Sequence, residues 1–210
     1  DLECIAALEL VDGLAAGLAA EHLDTPAPVS GDWLLLAELA GESDPTERLA
    51  AVLDTAPLAG PAAVGTDPAG CQRLWQLREA MAEVVGLFGP PVKFNVSLPL
   101  SAIPAFAADS SALIARHAPR ALPILFGHVG EGNLHLNVLR CDAAREGSIY
   151  PEMMELIASH HGNVSSEHGV GSRKRAYLRL SRQPADIAVM RTVKAALDPT
   201  GYLNPAVLFG

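Results

Sequence analysis

Two histidines flank a glycine-rich stretch, Gly127-His128-Val129-Gly130-Glu131-Gly132-Asn133-Leu134-His135-Leu136-Asn137. Glycine and asparagine supply the positive φ angles of a tight connection, so the stretch predicts a hairpin with Ala121–Gly127 and Leu134–Leu139 as its strands. With residues 129–134 as the hairpin end, His128 and His135 become cross-strand partners, their Cβ atoms about 4.5–5.5 Å apart on one face. Two neutral imidazoles at that separation can converge on one cation, each at about 2.0–2.1 Å. Asn137 shares the face of His135, whereas Leu134, Leu136 and Val138 alternate toward the core. An ion needs a third protein ligand, and the hairpin does not name it. Glu131 lies in the turn, where solvation is its natural state. A lone strand histidine is ordinarily a hydrogen-bonded core or surface residue, but two in register beside Asn137 favour chemistry.

Ser165-Ser166-Glu167-His168-Gly169-Val170-Gly171 sets a carboxylate beside an imidazole, and its glycines allow close approach of backbone to a ligand. Such a pair can serve as ligand and base, although an isolated Glu-His-Gly is common and suits capping or hydrogen bonding equally. The run Arg173-Lys174-Arg175 that follows reads as a solvated helix face. Two further cations adjoin apolar stripes: Arg78 on a helix, and Lys93 at the opening of a strand. A guanidinium fork and a point charge together can hold a carboxylate. Salt bridges from Arg78 to Glu79 or Glu83 are the structural alternative.

The elements that must position these groups alternate between strand and helix. Trp33–Ala40 predicts a buried strand. Asp44-Pro45-Thr46-Glu47 announces a helix to about Thr55, and Thr66-Asp67-Pro68 opens a long one carrying Leu74, Leu77, Met81, Val84 and Phe88, stopped by Gly89-Pro90-Pro91. Lys93–Leu100 predicts a strand and Ile103–His117 a helix. After the hairpin come a helix from about Pro151 to His160, a short strand Asn163–Ser166, and a last helix from Pro184 to Asp198 with Ile187, Met190, Val193 and Leu197 along it. A hairpin among such helices predicts an α+β domain with a largely antiparallel sheet, since strict βαβ winding would not contain it.

With 210 residues, half of them hydrophobic and 19% charged, the chain can bury its own core. A net charge of −9 excludes a nucleic-acid surface. No apolar run reaches the ~20 residues of a membrane span. Three scattered cysteines, Cys4, Cys71 and Cys141, without a CxxC pair fit a reducing compartment, so a soluble, cytoplasmic protein is expected. The chain opens on Asp1 rather than methionine, as a segment of a longer protein would. Gly127-x-x-Gly130-x-Gly132 lacks Rossmann spacing, and no P-loop or Gly-x-Ser-x-Gly elbow is present.

Five segments carry a resemblance: Leu74-Trp-Gln-Leu-Arg-Glu79, Lys93-Phe-Asn-Val-Ser97, Gly127 to His135, Ser166-Glu-His-Gly-Val-Gly171, and Leu197-Asp-Pro-Thr-Gly-Tyr-Leu-Asn-Pro205. In this order they resemble the C-terminal domain of the FAD-linked oxidases related to D-lactate dehydrogenase, D-2-hydroxyglutarate dehydrogenase and the flavin subunit of glycolate oxidase. The resemblance implies a ferredoxin-like α+β cap filling residues 1–210, with FAD held mainly by an N-terminal domain of roughly two hundred residues outside this chain. It implies His128, His135 and Glu167 as ligands of one divalent metal, zinc first, with manganese or iron as alternatives. His168 is then the general base, and Arg78, Lys93 and Asn137 hold a small 2-hydroxy acid. The electron acceptor is left unnamed.

Asn95 stands where acidic residues are common in that family, and Phe94 where tyrosine is frequent. Ala82 occupies a position where dicarboxylate-specific members can carry a hydroxyl residue, which leans toward lactate or glycolate. Asn204-Pro205 resembles the family's terminal motif, so the C-terminus is expected to be nearly complete. Two competing readings are a metal-binding or interaction module without a flavin partner, and a zinc hydrolase with an activated water.

Overall fold

The computed structural model describes residues 4–42, 44–57 and 60–209. Five strands run through it: β1 (Ile5–Asp12), β2 (Trp33–Leu39), β3 (Val92–Ser97), β4 (Leu122–His128) and β5 (Asn133–Leu139). They hydrogen-bond in the order β2-β1-β4-β5-β3. β1 is antiparallel to β2 and to β4, with Leu10 opposite Gly127 and Val11 opposite Phe126. The helices are α1 (Gly13–His22), α2 (Thr46–Thr55), α3 (Pro68–Glu79), α4 (Met81–Leu87), α5 (Ile103–His117), α6 (Ala143–Ser159), α7 (Leu178–Ser181) and α8 (Pro184–Leu197). The expected α+β class is borne out.

The chain divides into two compact units. The first comprises residues 1–93, 121–131 and 135–141; the second comprises 94–120, 132–134 and 142–210. In the first, Asp12 ends β1 and starts α1, its carboxylate accepting from the Ala15 N–H at 2.6 Å and from the Leu125 N–H of β4. Burial outweighs those bonds and holds the Asp12 carboxyl above its usual range. The alanines of α1 then pack closely: Ala15, Ala16 and Ala19 join Val11, Leu77, Met81, Val84, Ile124 and Phe126 in one core. In the second unit α5 packs on α6, where Phe106, Ile114, Ile149, Met153 and Ile157 are buried. Phe94 stacks on Tyr150 at 5.2 Å. Burial, with Tyr177 adding to it, pushes the Tyr150 hydroxyl up to about 12.

Several expectations need correction. β1 and α1 have no counterpart among the sequence expectations, because their alanine-rich run has no sharp period. β2 is an edge strand, with Leu34 buried but Leu35 exposed, rather than a buried one. The long helix divides at Ala80 into α3 and α4, although Leu77, Met81 and Val84 keep their buried stripe. α6 begins well before Pro151, where the Asp142 carboxylate caps the Ala144 N–H at 3.0 Å, and Pro151 sits inside the helix. Asn163–Ser166 is no strand: a single bridge joins Asn163 to Ser97. α5 and α8 have the expected bounds, yet Val193 and Leu197 of α8 are exposed. Arg173-Lys174-Arg175 is no simple solvated helix face: Arg173 lies over the Tyr150 ring at 4.3 Å, and burial, then Arg173, lowers the Lys174 amine's pKa.

Candidate active site

The first unit carries a polar cluster on the sheet face shared by β1, β4 and β5. His128 ends β4 and His135 lies in β5; their rings meet edge to face, centroids 5.5 Å apart. A ligating nitrogen of each lies within 4.8 Å of the other's. Two imidazoles on one tetrahedral ion, each bound at about 2.0–2.1 Å, hold their nitrogens well inside that limit, so the pair can converge on zinc or a comparable borderline cation. The Nδ1 of His128 is 2.6 Å from Oε1 of Glu9, and Oε2 of the same carboxylate accepts from Arg78 Nε at 2.7 Å. Nε2 is therefore the His128 nitrogen placed to ligate an ion.

Glu9 is 4% exposed, and a carboxylate so deep in a protein is tolerated only when it is paired and hydrogen-bonded. Arg78 reaches it from α3, its guanidinium lying over the Phe126 ring at 5.0 Å. The Phe126 ring in turn contacts His135 at 5.5 Å. Asn137 is buried, and its Nδ2 donates to the His135 carbonyl at 3.4 Å. Lys93 is exposed near the start of β3. Glu83 pairs with His22, and the partner of Arg78 is Glu9 rather than Glu79 or Glu83.

The second unit carries a different cluster, built on the loop after Asn163. Asn133 is buried and ties the loop down: its Oδ1 accepts from the Ser166 hydroxyl at 2.7 Å, and its Nδ2 donates to Glu167. His168 is exposed; its Nδ1 accepts from Asn95 Nδ2 at 2.9 Å, and its Nε2 lies 3.3 Å from Glu167. Neutral His168 so held carries its proton on Nε2 and its lone pair on Nδ1. Gly132, at φ +68°, makes this possible, because a Cβ there would fall 2.1 Å from the Leu98 carbonyl oxygen.

The structure thus joins His128, His135 and Arg78 in the first unit, with Asn137 beside His135, and it joins Glu167 to His168 in the second. Sequence reasoning missed Glu9 and Asn133. An acid inside the apolar run Ile5-Ala6-Ala7-Leu8-Glu9-Leu10-Val11 was the available signal for Glu9. Asn133 carries only a turn signal in the sequence, beside Gly132.

A family model described as "FAD linked oxidases, C-terminal domain" matches residues 3–208. D-2-hydroxyglutarate dehydrogenase of Stutzerimonas stutzeri is 39% identical over 145 residues, 66% of this chain and 31% of its own length. The mitochondrial D-2-hydroxyglutarate dehydrogenase of Rattus norvegicus is 34% identical over 97% of this chain and 39% of its own. D-2-hydroxyglutarate–pyruvate transhydrogenase of Saccharomyces cerevisiae is 31% identical over 97% of this chain and 44% of its own. The chain therefore spans well under half the length of these relatives. Among solved structures, 4-ethylphenol oxidase from Gulosibacter chungangensis, in an isoeugenol complex, shares the fold with a TM-score of 0.67 at 16% identity, over 97% of this chain and 47% of that one.

Proposed function

This chain belongs to the family of C-terminal domains of FAD linked oxidases, and from that premise we propose that it is the substrate- and metal-binding part of a flavin-dependent dehydrogenase that oxidises a D-2-hydroxy acid to the 2-oxo acid. The observation that carries the reading is the facing pair His128 and His135, with Nδ1 of His128 already engaged. His128, His135 and Glu167 would hold one divalent ion, zinc first, which supplies Lewis acidity to the substrate's hydroxyl and carboxylate oxygens. FAD, in an N-terminal domain, supplies the hydride acceptor.

This chain's own residues do the rest. The Arg78 guanidinium and the Lys93 ammonium draw in and orient the substrate carboxylate, and the Asn137 amide holds a polar oxygen. His168 takes the hydroxyl proton at Nδ1, the nitrogen whose lone pair faces the Asn95 amide. The relatives' names put D-2-hydroxyglutarate first within the substrate class, against the lean that Ala82 gave toward a smaller acid. Exposed Val189, Val193, Leu197, Tyr202 and Leu203 give the flavin domain an apolar surface to cover. Two observations support an aqueous, reducing compartment such as the cytoplasm: no helix among the described residues is long and apolar enough to cross a membrane, and no cysteine there is in a disulfide.

The test is metal content and turnover of the full-length gene product. We expect about one zinc-like ion per chain in the wild type and almost none in His135→Ala, with flavin bleaching by D-2-hydroxyglutarate in the wild type alone. Equal metal in both proteins overturns the ligand assignment. Absence of bleaching by D-2-hydroxyglutarate, D-lactate and glycolate overturns the activity.

A further inference from the structure

We propose that Glu9 is a positioning residue: its one buried carboxylate sets the tautomer of His128 and the orientation of Arg78 together. The inference deepens the metal and substrate reading above and rests on it. The β1–β4 register places Leu10 opposite Gly127 and Val11 opposite Phe126, so one step further along the strands puts Glu9 opposite His128. Side chains of Glu9, Val11, Phe126 and His128 then share a face, and α3 brings Arg78 to it over the Phe126 ring.

The chemistry follows from donors and acceptors. An ionised carboxylate only accepts, so both of its partners must donate. Arg78 Nε always carries a hydrogen; His128 must therefore carry its proton on Nδ1, 2.6 Å from Oε1. Nε2 is then the nitrogen of His128 that carries the lone pair an ion requires. Arg78 uses only Nε on Glu9; among the described residues its two terminal nitrogens make no hydrogen bond, which leaves them to donate to the substrate carboxylate of the reading above. Glutamine cannot replace this function. Its single oxygen can accept from Arg78 or from His128, and its NH₂ then opposes a donor or draws the His128 lone pair to Nδ1.

The test uses the 210-residue chain labelled with ¹⁵N in its histidines, at about pH 8, above the ordinary imidazole range. A long-range proton–nitrogen spectrum of the rings, with the His128 signals identified from His128→Gln, reads the tautomer directly. Zinc affinity is measured by competition with a chromophoric chelator, and circular dichroism checks the fold. We expect the Nδ1–H tautomer at His128 in the wild type, its loss in Glu9→Gln, and zinc binding weakened about 10–100-fold in that variant. An Nε2–H tautomer in the wild type overturns the proposal, and this measurement decides it even if Glu9→Gln does not fold. So does a folded Glu9→Gln that keeps both the tautomer and the zinc affinity to within about twofold. A wild type that shows Nδ1–H, loses it in Glu9→Gln, yet binds no zinc supports Glu9 as the positioning residue and sinks the metal reading instead.

Discussion

His128 and His168 belong to different units and are held in opposite ways. His128 ends a strand and donates from Nδ1 to Glu9, a carboxylate sealed in the first unit and shared with Arg78. His168 lies on a loop of the second unit, is 73% exposed at its side chain, and accepts at Nδ1 from the neutral amide of Asn95. A charged, buried neighbour fixes a proton on the nitrogen that faces it. A neutral donor leaves a lone pair there. Breaking the buried pair would cost several kcal/mol, because a charge would be left unpaired, whereas an exposed contact is worth under about 1 kcal/mol. The first arrangement suits a residue that must not move, such as an ion's ligand. The second suits one that must give and take a proton.

The strongest way to break the comparison is His168→Ala in the full-length gene product. Loss of a general base is expected to lower kcat by about 10²–10⁴-fold while metal content stays at the wild-type level. Unchanged kcat would show that His168 is not the base, and lost metal would make it a ligand instead.

Gly132→Ala attacks the support of the loop instead. A positive φ on alanine costs about 1–3 kcal/mol, and the added Cβ also meets the Leu98 carbonyl. We expect at least about 2 kcal/mol less stability in chemical denaturation, with the ring signals of His168 disturbed through Asn133 and Glu167. Wild-type stability would mean that the Gly132–Leu98 approach is not tight.

Asn95→Asp sharpens the comparison by giving His168 a carboxylate like that of His128. The His168 tautomer should reverse to Nδ1–H in the same nitrogen spectrum, with stability changed by less than about 1 kcal/mol because the site is exposed. An unreversed tautomer would mean that Glu167, not residue 95, governs that ring.

The smallest effect is expected at Asp198, a control outside both sites. Its carboxylate accepts from Lys194 and from the N–H groups of Tyr202 and Leu203, and the Lys194 bond above all holds it below its ordinary value of 3.8. A lowered carboxylate stabilises the fold at pH above 3.8, and that contribution fades as pH falls through the folded value. Asp198→Asn should therefore lower Tm at neutral pH, lose its difference from the wild type in strong acid, and leave both histidine spectra unchanged. A Tm difference independent of pH would rule out the charge as the cause.

Local chemistry was enough to read much of this protein from its sequence. The Gly127–Gly132 turn, the helices Ile103–His117 and Pro184–Leu197 with their proline starts, and the pairing of His128 with His135 all depend on neighbours within a few residues. The buried stripe Leu77, Met81 and Val84 was legible for the same reason, though the divide at Ala80 was not. What only the tertiary structure decided are contacts between distant segments. Glu9 meets His128 across 119 positions and Arg78 across 69, and no periodicity in an alanine-rich run announces either. Asn95 meets His168 across 73 positions, and Asn133 meets Glu167 across 34. Sequence spacing sets which side chains share a strand face; which proton each imidazole keeps depends on a partner that folding brings from elsewhere in the chain.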